Sequence, residues 1–200
     1  MGKFEYYLIG INVVGFILYL INMWLYNHTE KGNVDSLLTI VSLLGGSAGA
    51  LLAILLFDRK AVKENMMSRV FVLCVFVIQL VLLLMYKGHR ADTLNFEIWR
   101  VFTEHKYALI YLGIINLVTF VAFAIDKMNA IGHRSRIRIV TLLGLAFIGG
   151  SLGGLLAMYL LNHKTTKDYF TVGIPLIILM QVVVAFYVLN IGLEQTSDQM

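Results

Sequence analysis

The chain has 200 residues, 59% of them hydrophobic and 14% charged, with a mean hydropathy of +0.80. Soluble domains hold about 45–50% apolar residues, so this composition excludes an ordinary soluble domain and marks an integral membrane protein. A single cysteine excludes a disulfide framework. The net charge of +4 lies at the ends of apolar runs, where lipid headgroups account for it without a nucleic-acid partner.

Six spans are predicted, over residues 6–27, 37–57, 69–87, 107–126, 140–161 and 171–192. Each is about 20 residues long and would rise about 30 Å as a helix, enough to cross the hydrocarbon core. The first run is too long for a signal-peptide core and has no small-residue cleavage site, so it is read as a span. Loop 28–36 is short, and loop 58–68 is basic with Arg59, Lys60 and Lys63. Cys74 lies inside the third run and reads as a small buried hydrophobe. Residues 88–106 form a linker. In it Leu94, Ile98, Val101 and Phe102 share one helical face, which fits either a helix lying on the membrane or an extension of span four. Loop 127–139 carries Lys127, Arg134, Arg136 and Arg138, and loop 162–170 carries His163, Lys164 and Lys167. Pro175 falls in the opening turn of the last span, where its missing N–H costs little.

The chain repeats itself at an offset of 104. Tyr7, Leu8, Ile11, Asn12 and Phe16 recur as Tyr111, Leu112, Ile115, Asn116 and Phe120, and Leu51, Leu52, Ala53, Lys60 and Lys63 recur as Leu155, Leu156, Ala157, Lys164 and Lys167. The organisation expected is a first three-span repeat over 1–87, the linker 88–106, and a second repeat over 107–200. With an odd number of crossings per repeat, the second enters from the opposite side. The fold class expected is therefore all-α, six transmembrane helices as two inverted three-helix repeats forming a pseudo-dimer within one chain. Lysine and arginine number nine on the side of the termini and seven on the other, a small bias that puts both termini in the cytoplasm.

Gly45-Gly46-Ser47-Ala48-Gly49 and Gly149-Gly150-Ser151-Leu152-Gly153 lie near mid-span. Such small-residue faces let helices approach closely in lipid, so spans two and five are expected to cross each other there. The other reading is a loosened helix whose backbone, with Ser47 and Ser151, lines a cavity. Asn12 and Asn116 are either interhelical hydrogen-bonding groups or ligands for a solute. Gln79 and Gln181 add to the polar interior, although their spacing departs from the repeat offset by two residues. Asp126 and Lys127 are placed at the end of span four, with Arg59 or Lys60 as the expected partner of Asp126. Asn22 is expected to face His163, Lys164 and Lys167. These residues, with Lys63, form either a gate or charges reaching toward headgroups. The five histidines stand apart from one another at spacings that suit no metal, and no catalytic constellation is visible, so neither cofactor, metal nor enzyme activity is expected.

The second half resembles the family called domain of unknown function 1294, small bacterial membrane proteins of about three spans. The resemblance lies in Asn116, Phe120, Asp126-Lys127, Ala130, Arg136-Ile137, Gly149-Gly150-Ser151-Leu152-Gly153, His163-Lys164-Thr165, Lys167, Phe170 and Gly173-Ile174-Pro175. Family members continue the Arg-Ile pair with Pro-Glu, where this chain has Arg138-Ile139. The resemblance implies a bacterial plasma-membrane protein and leaves its activity open. The functional expectation is a small transporter or channel for a small solute or ion, with an anionic solute favoured by the basic loops. The alternative is a non-catalytic structural or accessory membrane protein that binds a partner, and a further homo-oligomer is compatible with either reading.

Overall fold

The computed structural model describes residues 2–28, 35–87 and 106–197, and every regular element among them is helical. The helices are α1 (Lys3–His28), α2 (Asp35–Val41), α3 (Ser47–Phe57), α4 (Met66–Tyr86), α5 (Lys106–Ile131), α6 (Ile139–Leu145), α7 (Ser151–Leu160), α8 (Asp168–Thr171) and α9 (Gly173–Ser197). An apolar run in lipid has no water to satisfy its backbone, and the helix satisfies it internally. Six stretches are long and apolar enough to cross a membrane: Lys3–Tyr26, Ser36–Phe57, Met66–Tyr86, Lys106–Ile131, Ile139–Leu160 and Asp168–Asn190. The chain is thus a membrane-type helical protein. The linker 88–106 lies outside the described residues except for Lys106, which opens α5.

The chain divides into two compact units, Met1–Leu80 and Val81–Met200. In the first, α1 packs along α3. Its core gathers Tyr19, Leu38, Ala50, Ala53, Ile54 and Val72. In the second, α5 packs along α7, and α9 lies against α7. Phe123 and Phe170 meet edge to face there, with ring centroids 5.5 Å apart. Small residues on α3 and α7 face inward, while Leu52, Leu55, Leu56, Leu152 and Leu156 are each more than half exposed. An outward face of leucines suits hydrocarbon and would be costly in water.

Two helix ends differ from expectation. Helix α5 continues to Ile131, so Asp126 and Lys127 lie inside it rather than at its end. Helix α9 continues to Ser197, beyond the expected end at 192. Pro175 is in the opening turn of α9, as expected.

Candidate functional site

The second and fifth apolar segments are not straight. Helix α2 ends at Val41, residues Ser42–Gly46 form a wide turn with Gly45 at φ 117°, and α3 starts at Ser47. In the other unit α6 ends at Leu145, Gly149 takes φ 123° within Ala146–Gly150, and α7 starts at Ser151. Side chains disfavour this left-handed backbone region, which is why glycine stands at both positions.

Contacts along α5 show how sharply the fifth segment bends. Ile137, just before α6, donates its N–H to Asp126 Oδ1 at 2.8 Å. The break itself sits against Leu112 and Ile115. From there α7 descends past Asn116, and His163, just after it, meets Asp126 Oδ2 at 2.9 Å. Both ends of the segment therefore reach one carboxylate, and its middle lies about three to four helical turns away along α5. A straight helix of 22 residues would hold its ends about 33 Å apart.

A break inside an apolar segment frees backbone groups that lipid cannot satisfy. Each unit answers with the same set of side chains. In the first, Gln79 Nε2 donates to the carbonyls of Ser42 (2.7 Å) and Leu43 (3.0 Å), and the Tyr7 hydroxyl donates to Leu44 O at 2.8 Å. In the second, Gln181 Nε2 donates to Ala146 O (2.8 Å) and Phe147 O (3.1 Å), and Tyr111 donates to Ile148 O at 2.7 Å. Beyond each break, Gly49 N–H donates to Asn12 Oδ1 and Gly153 N–H to Asn116 Oδ1, both at 2.7 Å. The serine hydroxyls close the bracket: Ser47 donates to Gln79 Oε1, and Ser151 to Gln181 Oε1 at 2.5 Å. Asn12 and Asn116 therefore make interhelical hydrogen bonds. Gln79 and Gln181 hold equivalent places despite their drifting register, and the two tyrosines were legible only as repeat positions. One hydroxyl is left over: Ser42, buried at the first break, has no partner for its Oγ.

Each glycine face is filled within its own unit. A methyl group on Gly49 would lie 1.8 Å from the Asn12 carbonyl oxygen, and one on Gly153 2.0 Å from that of Asn116. Gly46 faces Ile11 O, and Gly150 faces the Thr119 hydroxyl. Asn12 and Gly49 also line an open apolar groove of about 430 Å³ with Leu8, Phe16 and Leu52.

The charged residues sort by unit as well. Asp126 is fully buried. Its partners are His163 and Lys164, the latter at 2.8 Å, rather than Arg59 or Lys60. Lys164 Nζ also sits 4.8 Å above the Phe170 ring, and Lys127 Nζ donates to Leu161 O at 2.6 Å. Asn22, the counterpart of Asp126, is buried in the first unit. There the carboxylate belongs to Asp58, which accepts from Tyr19 Oη (2.6 Å), from Asn65 Nδ2 (2.9 Å) and from Arg69 Nε (3.4 Å). Arg59, Lys60, Lys63 and Lys167 are exposed. A cleft of about 560 Å³ opens beside Asp58. Among the described residues no group of three or more His, Cys, Asp and Glu could hold a metal.

Residues 116–170 match the family described as "Protein of unknown function (DUF1294)". That stretch contains Asn116, Asp126, the Gly149 break, His163 and Lys164. The chain is also 37% identical over 78 residues to an uncharacterized protein, YsdA, of Bacillus subtilis (strain 168); the match takes in 38% of this chain and 88% of that relative. No solved structure matches. The relative is thus less than half as long as this chain, in keeping with a unit that stands once there and is repeated here. With most of that relative covered at this identity, the chain belongs to the DUF1294 family of proteins of unknown function.

Proposed function

We propose that the chain is a small plasma-membrane transporter or channel for a small solute or ion, not an enzyme, whose path runs by the two broken helices. The observation that carries this reading is the break itself. Each unit interrupts an apolar helix at a glycine and gathers backbone carbonyls, an amide, a serine and a tyrosine around the gap. Backbone that leaves the helix within a membrane is tolerated where it is buried in protein or lines a cavity, and transporters place their sites at such discontinuities. The unpartnered Ser42 hydroxyl leaves one polar valence open at the first break. Asn12, Gly45, Gly46, Ser47, Gly49, Asn116, Gly149, Gly150, Ser151 and Gly153 are the pathway residues on this reading. Asn22, Asp126, the basic loop residues and His163 stand at its mouths.

The bend also bears on topology. Inverted repeats require that the second and fifth segments cross the bilayer. The convergence of Ile137 and His163 on Asp126 supports a different course, in which each segment enters, turns at its glycine and returns to the side it left. Each repeat then crosses twice, so both repeats start from the same face of the membrane. Charge supports it. Eleven of the 16 lysines and arginines then fall on the face of loops 28–36, 58–69, 127–139 and 162–170, against five on the face of the termini and linker. That is a stronger bias than nine against seven, and it puts the loops rather than the termini in the cytoplasm.

The second reading, an accessory protein that binds a partner or a second copy, is favoured by one fact: Gln79 and Gln181 already cap the freed carbonyls, so each break can serve as a dry seam. The test uses a Cys74→Ala background with single cysteines at Ser47 and Ser151. A membrane-impermeant thiol reagent on intact vesicles labels them if water reaches the break, and solute flux into liposomes then follows that accessibility. A folded protein that labels at neither position and passes no tested ion or small solute sinks the transport reading.

A further inference from the structure

We infer that the cleft beside Asp58 in the first unit is a binding site for a phosphate group, carried by a lipid headgroup or by a free phosphate ester. The cleft shares Asn22, Arg59 and Lys60 with one mouth of the proposed path, but the inference does not depend on transport through the breaks, and the binding test below reads it without any flux.

The argument starts from one exchange between the repeats. At the 104 offset Asn22 answers to Asp126, Arg59 to His163 and Lys60 to Lys164. In the second unit the buried Asp126 draws His163 and Lys164 inward, to 2.9 and 2.8 Å, and the Lys164 ammonium settles over the Phe170 ring. An anion of the protein's own thus satisfies the Lys164 ammonium and the His163 ring nitrogen. In the first unit the matching position is the neutral, buried Asn22. Among the described residues no carboxylate pairs with Arg59 or Lys60, and both are exposed. They line a cleft of about 560 Å³, within the range of small-molecule sites, together with Asn22, Met23, Phe57 and Val62.

The acidic groups of the cleft do not fill this role. Asp58 already accepts from Tyr19, Asn65 and Arg69, and Arg69 balances its charge. Glu64 is exposed. Two cations therefore face one uncompensated carboxylate. A phosphate supplies the oxyanion that the second unit carries in its own sequence, and guanidinium and ammonium groups are suited to hold it. Glu64 leaves room for an ammonium on the same headgroup. Met23, Phe57 and Val62 offer apolar surface for the acyl chains of a lipid.

The test uses the purified full chain in phosphate-free, uncharged detergent. Phosphatidylglycerol is titrated and counted on the protein by native mass spectrometry, and inorganic phosphate is titrated by calorimetry. We expect at least one saturable site for one of these probes. Arg59→Gln with Lys60→Gln weakens it on the order of tenfold or more, as expected for loss of charge-assisted bonds. Asn22→Asp weakens it too, by supplying the internal anion. Saturation by phosphatidylglycerol alone assigns the site to a lipid, and saturation by both probes assigns it to the phosphate group itself. The inference is overturned if neither probe saturates, or if the Arg59→Gln, Lys60→Gln protein binds as the wild type does. Those two residues are exposed, so their replacement leaves the fold intact even where Asn22→Asp does not.

Discussion

Single glycines decide how closely the helices of each unit approach. Gly49 and Gly153 each lie where a methyl group would fall on a neighbouring backbone carbonyl, which a rotamer change cannot relieve. Gly49→Ala and Gly153→Ala should each destabilise the protein by about 2–3 kcal/mol, at the upper end of overpacking, because the same shift stretches the hydrogen bond to Asn12 or Asn116. Gly113→Ala is the control. Nothing lies within 4 Å of an added methyl there, so the change should be neutral or stabilising by up to about 1 kcal/mol through helix propensity. Thermal unfolding in detergent, followed by circular dichroism, separates the three. Gly45 and Gly149 are different again, since φ near 120° penalises any side chain whatever the space; alanine at either should cost about 1–2 kcal/mol. Both amides turn back to a carbonyl on their own helix, Leu8 O or Leu112 O, and accept from Gly49 or Gly153 N–H, but Asn116 Nδ2 donates to the Gly149 carbonyl as well. Asn116→Leu should therefore lower the melting temperature more than Asn12→Leu, and equal losses would show that the extra bond contributes nothing.

At the scale of elements, each broken segment depends on its neighbours for polar satisfaction. Gln181 supplies two donors to the carbonyls of the break that follows α6 and an acceptor to Ser151. Gln181→Leu leaves all three groups unpaired and should cost about 1–3 kcal/mol. The double change with Ser151→Ala should cost less than the sum of the single ones, since the shared bond is lost only once. Asp126 ties the two ends of the α6–α7 segment to α5. Asp126→Ala strands the Lys164 ammonium, which is only 13% exposed, and should cost about 3–5 kcal/mol. Lys164→Met in that background should recover part of the loss. The break was half legible in the sequence. The glycines, serines and asparagines stand out as matched pairs, but the decisive glutamines hide behind a two-residue drift. That drift arises in the connection between the second and third segments of each unit, and helix packing absorbs it, because Gln79 and Gln181 meet the same atoms.

For the whole molecule, topology is the property most open to measurement. In a Cys74→Ala background, single cysteines at Ser135 and Thr166, both exposed, flank the fifth segment. If that segment turns back at Gly149, an impermeant thiol reagent added from one side of the membrane should label both. If it crosses, each should label from a different side, and the inverted arrangement returns with both termini in the cytoplasm. The same experiment on the first unit uses Val62 and a position in loop 28–36.

The amino-acid sequence by itself determined the solvent, the helices and the duplication. Hydropathy, run length and an offset of 104 are local properties of the chain, and lipid leaves helices as the way to satisfy such runs. Tertiary structure alone decided who meets whom. It bent the second and fifth segments, turned the glycine faces onto α1 and α5, and gave Asp126 to His163 and Lys164 rather than to Arg59. The bends sit at one positive φ in each unit, at Gly45 and at Gly149. A positive φ redirects every residue after it, and composition and spacing alone do not reveal which glycine adopts one.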